Sequence, residues 1–119
     1  MADAKDWGTE PGSSVVGWKS NGGANQQWMT TGDIHHNWVG LVNRNSGLCL
    51  DTTGDRTDVG TPLQQWTCNN GQNQRFRLTD GHLVEQHSGR PVVLNGDTPG
   101  SQLVLGDISH YNYDKWDVN

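Results

Sequence analysis

The sequence is poor in apolar side chains and in positive charge. Only 31% of its 119 residues are hydrophobic, one is phenylalanine, and no apolar run approaches the roughly 20 residues of a membrane span. Eight Lys and Arg against thirteen Asp and Glu give a net charge of −5, with no basic cluster to displace counterions from nucleic acid. These absences predict neither membrane insertion nor a nucleic-acid partner.

The amino terminus also lacks a feature of exported chains, because residues 1–6 (Met-Ala-Asp-Ala-Lys-Asp) contain no apolar core of a signal peptide. We therefore expect that any export signal has been removed, or that the sequence is a segment of a longer one.

Cysteine is scarce, and motifs for metal binding or catalysis are missing. Cys49 and Cys68 are too few for a zinc site, and no histidine lies at ligand spacing from either of them. One disulfide in an oxidising compartment and two buried free thiols both remain open at this point. The five histidines form no H-E-x-x-H motif, and no G-x-S-x-G motif occurs. We therefore expect no metal, no cofactor and no catalysis within this chain.

Glycine, tryptophan and small polar residues are abundant instead, with 16 Gly and six Trp. Such a mixture favours short strands and tight turns, because Gly and Asx residues tolerate the backbone angles of turns. The chain also repeats itself without gaps at a spacing of 48 residues (51 − 3 = 48). The matching residues are Asp3, Thr9, Gly12, Trp18, Asn21, Gly23, Asn25 and Gln26, which recur as Asp51, Thr57, Gly60, Trp66, Asn69, Gly71, Asn73 and Gln74.

A third and fainter copy extends the repeat to the end of the chain. Ser46-Gly47 recurs as Ser88-Gly89, and Leu63 recurs as Leu103. We expect the chain to form one domain, residues 1–119, with repeats at about 1–37, 38–79 and 80–119. In the middle repeat, apolar runs at 41–42, 48–50, 63–66 and 76–78 are separated by turn residues, which predicts four short strands.

Three repeats of four strands predict an all-β fold, a closed barrel with a hairpin cap. Only Met1 and Ala2 precede Asp3 in the first repeat, too few for the opening strand that the middle repeat has at 41–43. A longer parent chain or a partner chain then supplies that strand, or the barrel closes imperfectly.

Short motifs within the repeats resemble those of a known family. Gln26-Gln27-Trp28 and Gln74-Arg75-Phe76 resemble the Q-x-W signature of ricin B-type lectin domains, also called family 13 carbohydrate-binding modules. The segments 46–51, 60–68 and 73–76 of the middle repeat follow the family pattern in order and spacing. The resemblance implies a β-trefoil with up to three shallow sugar sites and a disulfide between Cys49 and Cys68. It also implies a secreted protein that binds a glycan of galactose type or a related pyranose, in some cases as the targeting module of a secreted enzyme.

The middle repeat holds the strongest candidate carbohydrate site. A pyranose needs an aromatic ring against its C–H face and fixed polar groups for its hydroxyls. By resemblance, Trp66 is the aromatic ring, and Asp51 accepts hydrogen bonds from two hydroxyls. Asn73 and Gln64 supply amide donors and acceptors, and Gln74 completes the set, although we expect part of its role to be bonding to turn backbone.

The other two repeats match less well. A second candidate site in the first repeat consists of Asp3, Trp18, Asn25 and Gln26, but Val16 stands where the middle repeat has Gln64. In the third repeat we expect no sugar, because key positions are replaced. Gly106 stands for Trp66, Val104 for Gln64, and Tyr113-Asp114 for Asn73-Gln74.

The remaining aromatic residues have simpler interpretations. We expect Trp28, Phe76 and Trp116 to fill the barrel core, and Trp7 and Trp38 to pack in the core or at its rim. The alternative function for the whole chain is a trefoil that binds proteins or inhibits proteases through its loops, without sugar.

Overall fold

The structure is a computed structural model that describes residues 2–5, 8–17, 23, 26–79, 81–95 and 101–107. In these residues the secondary structure consists of short antiparallel strands and 3-10 turns, which confirms the all-β prediction. No helix in this part of the chain is long and apolar enough to cross a membrane. The strands are β1 (Ala2–Ala4), β2 (Val15–Gly17), β3 (Trp28–Thr30), β4 (Leu41–Asn43), β5 (Cys49–Thr52), β6 (Leu63–Trp66), β7 (Phe76–Thr79), β8 (His82–Glu85), β9 (Val92–Leu94) and β10 (Leu103–Leu105).

Each predicted repeat contributes one hairpin, and the three hairpins share one register. β1 pairs with β2, β5 with β6, and β9 with β10. The paired residues Asp51 and Gln64 of the middle hairpin correspond to Asp3 and Val16 in the first. In the third hairpin the pair is Val93 with Val104. The backbone therefore presents the same pair of positions three times, whatever side chains occupy them.

The hairpins join into a cap around Gln102. Isolated bridges connect Ser14 with Gln64, Val16 with Gln102, and Pro62 with Val104, so each hairpin contacts the other two. The Gln102 amide donates to the backbone oxygen of Val15 at 2.9 Å and to that of Leu63 at 3.0 Å. One side chain of the third repeat thus satisfies carbonyl groups of the other two.

The barrel strands pair between successive repeats. β3 pairs with β4, and β7 pairs with β8. Val39 and Phe76 exchange backbone hydrogen bonds of 2.9 and 2.8 Å, which links the beginning and the end of the middle repeat. The buried apolar core is drawn from all three repeats: Val15, Ile34, Val39, Leu41, Leu50, Leu63, Phe76, Leu83, Val92, Leu103 and Leu105.

The first repeat differs from the middle repeat in its strands. By register, β1 and β2 correspond to β5 and β6, and β3 corresponds to β7. The described residues of the first repeat contain no counterpart of β4, as the sequence predicted. The fourth strand expected for the third repeat would fall in residues 108–119, outside the described residues.

The aromatic core prediction is confirmed where it can be compared with the structure. Phe76 is fully buried, and the half-buried Trp28 packs against the core while its indole Nε1 donates to the backbone oxygen of Ala2 at 3.2 Å. Trp7 and Trp116 lie outside the described residues. Trp38 is half-buried and lines a surface cleft rather than joining the core cluster.

Candidate functional site

A buried carboxylate surrounded by amides is the centre of the middle repeat. Asp51 lies on β5 and is 3% exposed. Its Oδ1 accepts from Gln64 Nε2 at 3.0 Å, and its Oδ2 accepts from Asn73 Nδ2 at 3.2 Å and Gln74 Nε2 at 2.8 Å. The structure therefore brings four of the five predicted site residues into direct contact.

Two local features position these amides. The register of β5 against β6 places Gln64 opposite Asp51, on the same face of the hairpin. The 3-10 turn Gln72–Gln74 then brings the other two amides back to β5. Asn73 also donates to the backbone oxygen of Thr52 at 3.4 Å, a long contact that ties the turn to the strand.

Gln74 is a structural member of the cluster. Its side chain is buried, its Oε1 accepts from the backbone N–H of Asn69 at 2.8 Å, and its Nε2 also donates to the backbone oxygen of Thr67 at 2.9 Å. Both amide hydrogens and the carbonyl oxygen are therefore engaged within the protein. The expected bonding to turn backbone is confirmed.

The electrostatics of Asp51 reflect a balance between burial and hydrogen bonding. Burial raises the pKa of this carboxyl, because a charged group loses hydration when it is removed from water. The amides of Gln74, Gln64 and Asn73 act in the opposite direction, and the negative charge of Asp55 raises the pKa slightly further. The net result is a pKa above the ordinary aspartate value.

Trp66 is the exposed aromatic ring beside this cluster. It is 42% exposed, an unusual degree of exposure for a large apolar side chain. Because it follows Gln64 by two residues on β6, its side chain leaves the strand on the same face as that of Gln64. A Cβ atom added at Gly12 would lie 3.9 Å from Cζ3 of the ring, so this turn of the first repeat borders it.

A disulfide fixes the frame of the site. Cys49 and Cys68 are bonded, which confirms the bridge implied by the family resemblance. Cys49 precedes Asp51 on β5, and Cys68 follows Trp66 in the loop that carries Thr67 and Asn69. The bridge therefore joins the strand of the carboxylate to the segment that holds Gln74.

The first repeat retains part of the same arrangement. Asp3 is 6% exposed, and its Oδ2 accepts from the buried Gln26 Nε2 at 2.8 Å, as Asp51 accepts from Gln74. Trp18 and Asn25, the other two residues predicted for this site, lie outside the described residues. The described part of the second candidate site is thus a carboxylate and one amide.

In the third repeat, apolar contacts occupy the corresponding positions. Val93 pairs with Val104 where the middle repeat has its carboxylate and Gln64. A Cβ atom added at Gly106 would lie 2.6 Å from a methyl carbon of Val93, so no side chain of the size of Trp66 fits there unchanged. Sequence reasoning missed Val93, although the spacing of 42 between Ser46 and Ser88 (88 − 46 = 42) carries Asp51 to position 93. Tyr113 and Asp114 lie outside the described residues.

The polar cluster combines one carboxylate, Asp51, with three amides. Within the ranges that the structure describes, no group of three or more His, Cys, Asp or Glu side chains could hold a metal ion. What the arrangement offers instead is hydrogen bonding beside an aromatic ring.

The three hairpins that form the cap, together with an aspartate–amide cluster beside an exposed tryptophan, define a lectin-like β-trefoil. The chain belongs to the ricin-type beta-trefoil lectin domain-like family, whose model matches residues 24–106. This membership supports carbohydrate binding in general and indicates a binding module rather than an enzyme.

Individual similarities agree with the family. Nigrin b of Sambucus nigra is 34% identical over 74 residues, which cover 60% of this chain and 13% of that protein. The chain therefore spans only a small part of this curated relative. The structure of the designed three-fold symmetric protein ThreeFoil matches 99% of the chain and 89% of its own length, with a TM-score of 0.89 and 29% identity.

An enzyme structure also contains a similar fold. The exo-beta-1,3-galactanase 1,3Gal43A of Clostridium thermocellum matches 93% of this chain and 26% of its own, with a TM-score of 0.80 and 27% identity. With ThreeFoil, it confirms the predicted β-trefoil.

Proposed function

We propose that this chain is a secreted lectin module that binds a galactose-type pyranose, mainly through the middle repeat. The observation that carries the proposal is the combination of an exposed Trp66 with Asp51, a carboxylate already held by three amides. The ring would cover the C–H face of the sugar, and the polar cluster would bind hydroxyls.

The carboxylate has capacity left for a ligand. Among the residues that the structure describes, Oδ1 of Asp51 accepts from Gln64 alone, while Oδ2 accepts from two amides, and each carboxylate oxygen has two lone pairs. A sugar hydroxyl can therefore donate to Oδ1 beside Gln64. The primary amide of Gln64 has one further N–H group that can donate to a hydroxyl oxygen, whereas both N–H groups of Asn73 are engaged with Asp51 and Thr52. Because the amides already fix the carboxylate, little conformational entropy is lost when the sugar binds.

The similarity to a quarter of the galactanase chain supports two finer parts of the proposal, the galactose-type ligand and a role as the targeting module of a secreted enzyme. The disulfide supports an oxidising, extracellular location. We further propose that the whole chain forms one domain with repeats 1–37, 38–79 and 80–119. In the first repeat, Asp3, Trp18, Asn25 and Gln26 form a second and weaker sugar site.

The strand missing from the described part of the first repeat bears on assembly. A longer parent chain or a partner copy would pair with the strand edge that remains. Light scattering on the purified chain separates the two, since only strand donation by a partner copy requires a dimer.

The main test replaces Trp66 with Ala and measures glycan binding on an array and by calorimetry. We expect binding to fall below detection while the circular dichroism spectrum is unchanged, because the side chain is partly exposed. Met29→Ala is the matched control, since Met29 is 57% exposed and lies on β3, away from the site. Undiminished binding by the Trp66 variant would contradict the proposed site, and absence of binding by the unaltered chain would contradict the function.

A further inference from the structure

A second concave surface is lined by Gln74 and the disulfide but not by Asp51. It is a cleft of about 290 Å³, close to the lower limit of roughly 300 Å³ for small-ligand pockets. The Cys49–Cys68 disulfide and Val42 form its apolar part, and Trp38, Asn70 and Arg75 also line it. Its volume suits a ligand of about the size of one sugar.

The cleft contains a single permanent charge. Arg75 is the only ionisable residue in its lining, because both cysteines are in the disulfide. Among the residues that the structure describes, no carboxylate lies within ion-pair distance of the Arg75 guanidinium. The guanidinium also makes no hydrogen bond to a described residue, so its five N–H donors can bind a ligand.

The turn opposite Arg75 is held in place by its own hydrogen bonds. Asn70 has a positive φ of 60°, a conformation that Asn adopts more readily than most residues. Its neighbour Asn69 receives a hydrogen bond from the N–H of Gly71 at 2.8 Å and donates its own N–H to Gln74. Asn70 is therefore presented to the cleft by a rigid turn.

We propose that this cleft is a separate binding site for an acidic sugar, a pyranose that carries a carboxylate such as a hexuronic acid. Arg75 would form a bidentate, charge-assisted pair with the carboxylate. Trp38 would contact the C–H face of the ring, and Asn70 would bind a hydroxyl. The site shares only Gln74 with the Asp51 cluster, and the proposal holds whether or not the Asp51 cluster binds sugar.

The test follows the indole N–H signals of Trp38 and Trp66 by two-dimensional NMR in the full chain. Methyl β-D-glucuronide is titrated against methyl β-D-glucoside, with sodium acetate as a simple-anion comparison. We expect the glucuronide to shift the Trp38 signal in a saturable manner that weakens with added salt. The neutral glucoside and acetate should leave that signal unchanged at the same concentration.

Variants identify the charge responsible. Arg75→Gln should weaken glucuronide binding at least tenfold, and Arg75→Lys should weaken it less, since the charge remains but the fork is lost. Arg56→Gln removes the same charge from an exposed residue outside the cleft and should change the affinity less than twofold. Trp66→Ala should leave glucuronide binding intact.

Three results would overturn this inference: an unshifted Trp38 signal, an equal shift with glucoside or acetate, or an Arg75→Gln variant that binds as well as the unaltered chain. A galactoside that shifts Trp66 while glucuronide leaves Trp38 unshifted would refute the cleft alone. The reverse pattern would refute the site at Asp51 and support the cleft.

Discussion

The hairpins of the middle and third repeats have the same backbone pairing but carry side chains of different chemistry. In the β5–β6 hairpin the pair Asp51 and Gln64 begins a network of amides, and in the β9–β10 hairpin the equivalent pair is Val93 and Val104. In both hairpins the leucine that precedes this position, Leu63 before Gln64 or Leu103 before Val104, lies in the common core.

This difference indicates that one set of residues determines the trefoil fold and another set determines the polar site. Core residues such as Leu63 and Leu103 stabilise the hairpins in either repeat. The polar cluster adds a buried carboxylate, which costs free energy unless each polar group finds a partner. The valines of the third repeat show that a hairpin of this fold forms without such a cluster, and the proposed function accounts for the cluster in the middle repeat.

The largest effect is expected when Asp51 is replaced by valine, the residue at the equivalent position, 93, of the third repeat. Asp51→Val should abolish sugar binding and lower the free energy of unfolding by about 3 kcal/mol, because the buried Gln74 and its neighbours lose their acceptor. Urea denaturation and calorimetry measure the two changes. Asp51→Asn is the control that keeps the shape, and it should weaken binding without abolishing it, with a smaller change in stability. Sugar binding by the Asp51→Val variant would show that Asp51 is not part of the sugar site.

Next in size is loss of the disulfide, which the third repeat does not have. Reduction opens a loop with a sequence separation of 19 and should lower the free energy of unfolding by about 3 kcal/mol. Hydrogen exchange should become faster at Gln74 and Asn69 before it does at Leu103, since the loss begins in the middle repeat. Equal acceleration in the two repeats would show that the bridge supports the whole trefoil rather than the site.

A smaller effect is expected when Gln64 is changed to Val, the residue that the other two hairpins have at this position. The variant loses an amide that can bond to a sugar hydroxyl and that holds Oδ1 of Asp51 in place. Sugar affinity should fall about tenfold, the loss expected for one hydrogen bond of about 1.5 kcal/mol to the sugar. Gln102→Val is a contrasting variant. Because Gln102 joins the hairpins, its loss should lower the stability of the protein rather than its affinity for sugar. Unchanged affinity of the Gln64 variant would assign this residue to folding only.

The smallest effect concerns pH. Burial raises the pKa of Asp51, so the carboxyl takes up its proton at a higher pH than an ordinary aspartate. Sugar affinity should fall as the pH falls through this pKa, because a protonated carboxyl is a poorer acceptor for hydroxyls. The effect of this group on stability has the opposite sign: its contribution is present below the unfolded pKa and is lost as the pH rises through the folded pKa.

Calorimetric titration at a series of acidic pH values tests the pH prediction. Asp51→Asn is the reference, since its residual binding should not change with pH over this range. A decline in affinity only at the ordinary aspartate pKa, or a decline of the same size in the Asn variant, would contradict the assignment.

Much of the fold followed from the sequence because polar residues repeat with the apolar ones. The spacing of 48 carries Asp3 and Gln26 onto Asp51 and Gln74, and both pairs are hydrogen-bonded in the structure. The cysteine bridge followed from the family pattern. The replacement at Val93 could have been predicted too, but the third repeat is shorter by two residues between this position and Val104, which obscured the alignment.

Other features could not be predicted, because they depend on tertiary contacts. The alternation of a strand does not reveal that Asp51 is 3% exposed, since that burial results from amides contributed by a later turn. Trp38 was expected in the core or at its rim, and its place beside Arg75 follows from the packing of β4 against the disulfide loop. Trp38 lies outside the repeated motif and Arg75 is the variable residue of Gln74-Arg75-Phe76, so the pattern carried no signal for the cleft.

The most direct test of the central claim is an NMR titration of the full chain with methyl α-D-galactoside. We predict saturable shifts of the Trp66 indole signal and of the side-chain amides of Gln64 and Asn73. The backbone amides of Val93 and Val104 should not move. Equal shifts at the two valines, or an unchanged Trp66 signal at saturating galactoside, would contradict the conclusion that sugar binding resides in the middle repeat.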